Sequence, residues 1–308
     1  MVVTFSPKSA ARKQPAGKSR HSWLPSLTHR LQELWAVRVP VNLSSLRAGA
    51  KSVKGNYRLT NEDRCLADVK HGVFMVADGI GAHPGGAEAA EIVLRTVAPQ
   101  IAQVVAAVGF DIPTIQTVTG NAIQSARREM VEIAGYIPDF RQMGATVALA
   151  FVVEGRLCVS NIGDCRVYLL HDRTLTQLTV DQTFVQVAID SGVLTPEQAR
   201  KHPWRHVVTN AVGVRPLEQP PDLTIVDLAP GDRILLCSDG LTGAVGDRRL
   251  RELLLLGDDP QTTVGKMIDA ALANDSRDNV TCVVFDIALA DQEAERDERL
   301  PALAPDAA

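Results

Sequence analysis

The sequence predicts an α+β fold with mostly antiparallel sheets, and three observations carry that reading. Apolar runs too short for ordinary helices end on turn residues; strand-like runs come in pairs joined by short turns; longer aliphatic stretches at helical spacing follow them in groups. The regular strand–helix alternation of a doubly wound parallel sheet is missing. With 308 residues, 45% hydrophobic and 22% charged, the chain can fill one large core or two small ones.

Taken in order, residues 1–46 form a basic extension expected to lack fixed structure. Lys8, Arg12, Lys13, Lys18, Arg20, Arg30 and Arg38 face a single acid, Glu33. Leu24, Leu27, Leu31 and Leu34 recur at helical spacing. They fit either a short amphipathic helix, docking on the domain, a partner or an anionic membrane surface, or a solvated tail. An organelle transit peptide ranks lower, for want of a clear cleavage signal. Residues 47–288 form the folded domain and residues 289–308 an acidic, disordered tail.

Within the domain, Val73 to Val76 is a buried strand delivering Asp78 at its end. Ala87 to about Val108 is a helix that Pro99 should bend, and Pro113 to about Ala134 is a second helix. Val147–Val153 and Arg156–Ser160 are strands joined at Glu154-Gly155, and Cys165–Leu170 is a third. Asp181 to Ala199 is helical with a break at Ser191-Gly192, restarting at the cap Thr195-Pro196-Glu197. Leu223–Leu228 and Arg233–Ser238 flank a turn, helices follow at Asp247–Leu256 and Pro260–Ala273, and Asn279–Ile287 closes the domain as a strand.

The net charge of −4 argues against a general nucleic-acid binder, and no apolar run of about 18 residues could span a bilayer. The five cysteines, Cys65, Cys158, Cys165, Cys237 and Cys282, are scattered, odd in number and never spaced C-x-x-C. They read as small core residues of a reducing compartment, which places the chain in the cytoplasm.

The chemistry lies in acids set beside glycines or at strand ends: Asp78-Gly79, Gly163-Asp164, Asp239-Gly240 and Asp278. Ahead of them stands Arg58-Leu59-Thr60-Asn61-Glu62-Asp63-Arg64. Any one Asp-Gly pair is an ordinary turn signal. Clustered carboxylates without Cys or His partners would favour hard cations such as Mg²⁺ or Mn²⁺.

In order, these segments resemble the motifs of the metal-dependent Ser/Thr protein phosphatases of type 2C (the PPM family), in their bacterial form. The chain reads Arg58-x-x-Asn61-Glu62-Asp63, then Asp78-Gly79-x-Gly81-x-His83-x-x-Gly86, then Met143-Gly144-x-Thr146. It continues Gly163-Asp164-Cys165-Arg166, Asp181-Gln182-Thr183, Cys237-Ser238-Asp239-Gly240-Leu241 and Asp278-Asn279-x-Thr281. The resemblance runs from about residue 47 to 288. It implies two antiparallel β-sheets packed as a central sandwich flanked on both sides by helices.

It also implies two Mn²⁺ or Mg²⁺ ions about 3.5–4 Å apart, with a weaker third. Asp78 would bridge the two, the Gly79 carbonyl would ligate one, Asp239 and Asp278 would hold the other, and Glu62 and Asp63 would act through waters. Asp164 resembles the ligand of the third ion. Arg58 would grip the substrate phosphate. The implied reaction is hydrolysis of phosphoserine and phosphothreonine by a metal-activated water without a phosphoenzyme, so Ser238, Cys237 and Cys165 are structural neighbours of the ligands.

The chain departs from the pattern mildly at Ala82, Ala87 and Cys165, and more sharply at Ile80 and Gly243. Ile80 stands where eukaryotic members place a histidine proposed as general acid, so a metal-bound water or His83, three residues on, would take that role, with His83 otherwise a buttress of the loop or of a ligand. Gly243 replaces an acid that contributes to the third site in most relatives. Residues Gln182 to Gly213 form the flap of the bacterial branch; with Trp204, Arg200, Lys201 and Arg205 it is either a substrate-reading surface or a packed excursion. The expected partners are phosphorylated Ser/Thr proteins and a bacterial Ser/Thr kinase whose action is reversed. The competing expectation is a pseudophosphatase that binds phosphoproteins without turnover.

Overall fold

The computed structural model describes residues 43, 46–80, 84–107 and 110–288. The basic extension, His83 with Gly81, and the acidic tail lie outside these residues, except that the first strand already starts at Leu46.

Among the described residues eleven strands form two sheets, antiparallel at every pairing. The first runs β1 (Leu46–Val53), β11 (Val280–Ile287), β10 (Arg233–Cys237), β6 (Arg166–His171), β7 (Thr174–Gln177). The second runs β2 (Asp63–Asp68), β3 (Val73–Gly79), β4 (Gly144–Val153), β5 (Arg156–Ile162), β9 (Thr224–Asp227), with β8 (Val212–Gly213) on the end of β4. Helices α1 (Gly86–Ala107) and α2 (Ile112–Tyr136) cover the second sheet. Helices α6 (Asp247–Leu254) and α7 (Pro260–Ala273) cover the first, and short helices α3 (Phe184–Asp190), α4 (Pro196–Arg200) and α5 (Asp239–Thr242) lie in the connections. The expected helix-flanked sandwich is the observed architecture.

Side-chain alternation explains why β3 is apolar from Val73 to Ala77. Phe74 and Val76 point into the space between the sheets, where Phe74 stacks on Phe285 of β11 with ring centroids 3.8 Å apart. Val73, Met75 and Ala77 point the other way, onto α1 and α2. A strand with both faces covered carries no polar alternation, whichever way its neighbours run. Strands β10 and β11 follow the same rule: Ile234, Leu236, Val283 and Phe285 face inward, and Leu235, Cys237, Cys282 and Val284 face α6 and α7. All five cysteines are free thiols, four of them buried.

The helix starts follow local chemistry. Asp111 caps α2 by accepting from the Thr114 amide at 3.0 Å, Asp259 caps α7 through the Thr262 amide, and Thr195 with Gln198 forms a capping box on α4. Pro99 lies inside α1 without ending it. The strands differ more from expectation. β4 begins at Gly144, three residues before the sequence signal, because Gly144 and Ala145 pair with β8 across the loop. β1, β2 and β7 carry mixed polar residues on half-buried edges, where the apolar pattern fades. No helix among the described residues is long and apolar enough to cross a membrane.

Candidate active site

One end of the sandwich collects the strand-end acids. Asp63 opens β2 directly opposite Asp78 near the end of β3. Asp164 follows β5, Asp239 follows β10 and starts α5, and Asp278 precedes β11. β10 and β11 are neighbours in one sheet and β2 and β3 in the other, so their ends face each other across the sandwich. All five predicted aspartates come together there.

Close backbone approach makes this possible. The Gly79 amide donates to the Glu62 carbonyl at 3.2 Å, and a Cβ on Gly79 would lie 2.2 Å from the Gly86 carbonyl oxygen. On the other sheet a Cβ on Gly240 would lie 1.8 Å from the Asn279 carbonyl oxygen. Gly240→Ala must therefore push apart the segments carrying Asp239 and Asp278. The expected cost is about 1–3 kcal/mol of stability, read as a lower denaturant midpoint at unchanged m-value.

Hydrogen bonds hold the acids from behind. Ser238 Oγ donates to Asp63 Oδ2 at 2.8 Å, and the Thr281 amide donates back to Ser238 Oγ at 3.2 Å. Asn279 accepts from the Glu62 amide at 2.9 Å and donates to the carbonyls of Lys54 and Thr60, tying down the loop that carries Arg58. Arg58 reaches Asp278 Oδ2 at 2.6 Å and is partly exposed at the rim. The guanidinium thus sits on Asp278, 220 residues away, and not on Glu62 four residues on. Ile80 donates its amide to Gly144, and Thr146 lies 3.2 Å from the Cys165 thiol, which accounts for the Met143-Gly144-x-Thr146 motif as a support of the two Asp-bearing turns.

The electrostatics of the cluster are unfavourable for anions alone. Burial, followed by the charges of Asp63, Asp239, Asp164 and Asp278, pushes the Asp78 carboxyl well above its ordinary range. Burial and Asp239 do the same to Asp164 and, less strongly, to Asp278. Asp63 is pushed up to about 6, mainly by burial, against the hydrogen bonds that favour its ionised form. Glu62 is raised as well, by burial first. Among the described residues no three carboxylates, imidazoles or thiols already close around a single point. Two buried oxygens, Asp63 Oδ1 and Asp239 Oδ1, have no hydrogen-bond partner. Buried, mutually repelling carboxylates with unmatched oxygens are what a hard divalent cation neutralises, so the residues fit the implied Mn²⁺ or Mg²⁺.

Two residues of the flap reach the cluster, one from a motif and one without any motif signal. Gln182, from the Asp181-Gln182-Thr183 motif, accepts on its side-chain oxygen from the Gly163 amide at 3.0 Å and donates its backbone N–H to the Gly163 carbonyl, clamping the turn before Asp164. His206, in the flap, places Nδ1 3.2 Å from Asp239 Oδ2. Only the folded path of the flap brings a residue 33 positions away onto that carboxylate.

The sandwich with its acid-lined end sets the class of fold, and the chain belongs to the protein phosphatase 2C family, whose model matches residues 56–270. It is 36% identical over 251 residues to the serine/threonine protein phosphatase PstP of Mycobacterium tuberculosis, covering 79% of this chain and 45% of that protein. It thus spans about half the length of that relative. It is 29% identical to the serine/threonine phosphatase Stp of Listeria monocytogenes, covering 78% of this chain and 96% of that one. Among solved structures, the catalytic domain of PstP in complex with two manganese ions superposes with a TM-score of 0.70 at 33% identity, over 79% of this chain and 99% of that one. The phosphatase MsPP from Mycobacterium smegmatis, in complex with cacodylate, gives 0.67 at 31% identity, over 81% and 100%.

Proposed function

We propose that the chain is a Mn²⁺- or Mg²⁺-dependent phosphatase of phosphoserine and phosphothreonine in proteins. The observation that carries this reading is the convergence of five aspartates, two with unpartnered buried oxygens, beneath a rim arginine. Asp78, the Gly79 carbonyl, Asp239 and Asp278 would hold two ions, with Glu62 and Asp63 reaching them through water and Asp164 with Asp239 serving a weaker third. When bound, such ions polarise phosphoryl oxygens and lower the pKa of a coordinated water.

The residues of the chain supply the rest. Asn279 and the Ser238–Asp63 bond keep the acids in place without reorganisation. Arg58, exposed at the rim, can leave Asp278 and form a charge-assisted fork with the phosphate dianion. Ser238, which donates to Asp63, and Cys165 and Cys237 are buried, so none of the three is a nucleophile in this reading. A pseudophosphatase would not need a complete inner set of carboxylates. Phosphoprotein substrates, an opposing Ser/Thr kinase and a cytoplasmic setting follow from the same reading.

Mn²⁺-dependent phosphate release from a phosphothreonine peptide and from an aryl phosphate tests it. Wild-type protein is expected to release phosphate from both, and Asp239→Asn from neither. Inert wild-type protein at millimolar Mn²⁺ would overturn the reading, and activity on the aryl ester alone would move it to small phosphate esters.

A further inference from the structure

The flap is wired to the acid cluster at two points. At its base Gln182 clamps the turn before Asp164, and Asn210 donates to the same Gln182 oxygen at 2.9 Å. Further along, His206 meets Asp239. The backbone on the far side of His206 is pinned: the Phe184 amide donates to the Val207 carbonyl at 2.8 Å, and Thr183 and Val208 form an isolated bridge. The near side is held by aromatic packing of Trp204 against Phe184 and His202, with centroids 5.0 and 5.8 Å apart. The histidine is therefore delivered to the carboxylate by a built segment and does not swing freely onto it.

Its effect follows from the inventory of donors. A carboxylate oxygen only accepts, so His206 Nδ1 carries the proton and occupies Asp239 Oδ2. The other oxygen, Oδ1, is buried and has no partner. The Asp239 side chain is one-fifth exposed and that of His206 about half exposed, so the histidine covers the carboxylate from the solvent side.

We propose that His206 is a positioning residue: it fixes the rotation of the Asp239 carboxylate from the flap, so that Oδ1 is presented inward to a divalent cation. This rests on the metal-dependent reading above. A hydrogen-bonded partner behind a ligand typically changes metal affinity by about 10–100-fold, and here that partner belongs to the flap, so flap conformation and metal loading at Asp239 become linked.

The test is Mn²⁺ binding to the full chain, followed by electron paramagnetic resonance of the free ion, for wild type, His206→Ala, His206→Asn, His206→Gln and Asp239→Asn. Asparagine places a neutral donor near the position of Nδ1, whereas glutamine reaches beyond it. His206→Ala is expected to weaken one class of Mn²⁺ site about 10–100-fold, His206→Asn to restore most of that affinity, and His206→Gln to restore little. Trp204 emission, read with Trp23 and Trp35 replaced by Phe, should be unchanged in His206→Asn, showing that the flap keeps its packing. Wild-type or tighter Mn²⁺ binding in His206→Ala overturns the proposal, the second because the histidine would then compete with the ion. Asparagine no better than alanine also overturns it. If Asp239→Asn loses no Mn²⁺ site, it is the metal-dependent reading itself that fails.

Discussion

Asp78→Asn is expected to abolish metal-dependent phosphate release, by about 10³-fold or more, while making the metal-free protein more stable. A loss of that size corresponds to roughly 4 kcal/mol of transition-state stabilisation, as expected if Asp78 is one of the residues that would hold the ions. The gain in stability comes from the same carboxylate. Burial and four neighbouring aspartates hold its protonation well above the ordinary range, so at neutral pH an ionised Asp78 opposes folding. Asparagine keeps the shape and removes the charge.

The pH dependence has a definite sign. Asp63, pushed up to about 6, and Asp78, Asp164 and Asp278 hold protons in the folded state to higher pH than in the unfolded chain. As pH rises from about 4 through 6, the unfolded chain releases these protons first, and the folded state loses ground. Asp63, held protonated by burial and by the charges of Asp239 and Asp278, contributes in the same direction as its neighbours. Thermal melts in a chelator should therefore show wild-type protein less stable at pH 7 than at pH 5, with a shallower decline in Asp78→Asn. Added Mn²⁺ should recover the loss in wild type by mass action. Equal wild-type melting at both pH values would contradict the electrostatic account of the site.

The second large effect lies away from the chemistry. Arg233→Ala is expected to destabilise the domain by about 3–5 kcal/mol, measured from denaturant unfolding. Arg233 is buried on β10, with Nε and Nη2 on the two Asp286 oxygens at 2.6 and 2.7 Å. Its remaining donors reach the Leu254 and Asp258 carbonyls at 3.0 and 2.6 Å, at the end of α6 and in the loop before α7. Truncation leaves a carboxylate and two carbonyls without their donor, each costly in a packed setting. An apolar pair, Arg233→Met with Asp286→Leu, should recover only part of the loss, because methionine cannot serve the carbonyls. A change below about 1 kcal/mol would mean that this pair behaves like a surface ion pair.

Several elements were legible in the chain because their causes are local. The cap at Thr195 with Pro196 after it, and the turn at Glu154-Gly155, depend on residues within one turn of each other. The buried strands were legible because both faces of β3, β10 and β11 are covered, leaving unbroken apolar runs. The edge strands β1, β2 and β7 were not, since an edge accepts polar residues and gives no such run. Within the site, the acids and Arg58 stood out by their ordered motifs. His206 had no motif, because the cause of its placement is the path of the flap.

The sequence by itself determined the chemical equipment: which carboxylates end strands, which glycines permit close approach, and which family the motifs resemble. Tertiary structure alone decided the partners. Arg58 meets Asp278 across 220 positions, Ser238 meets Asp63 across 175, and Asp78 faces Asp63 through the register of β2 with β3. Such pairings follow from which strand ends lie side by side once two sheets have packed. That packing is a property of the whole apolar core, and no short window of residues carries it.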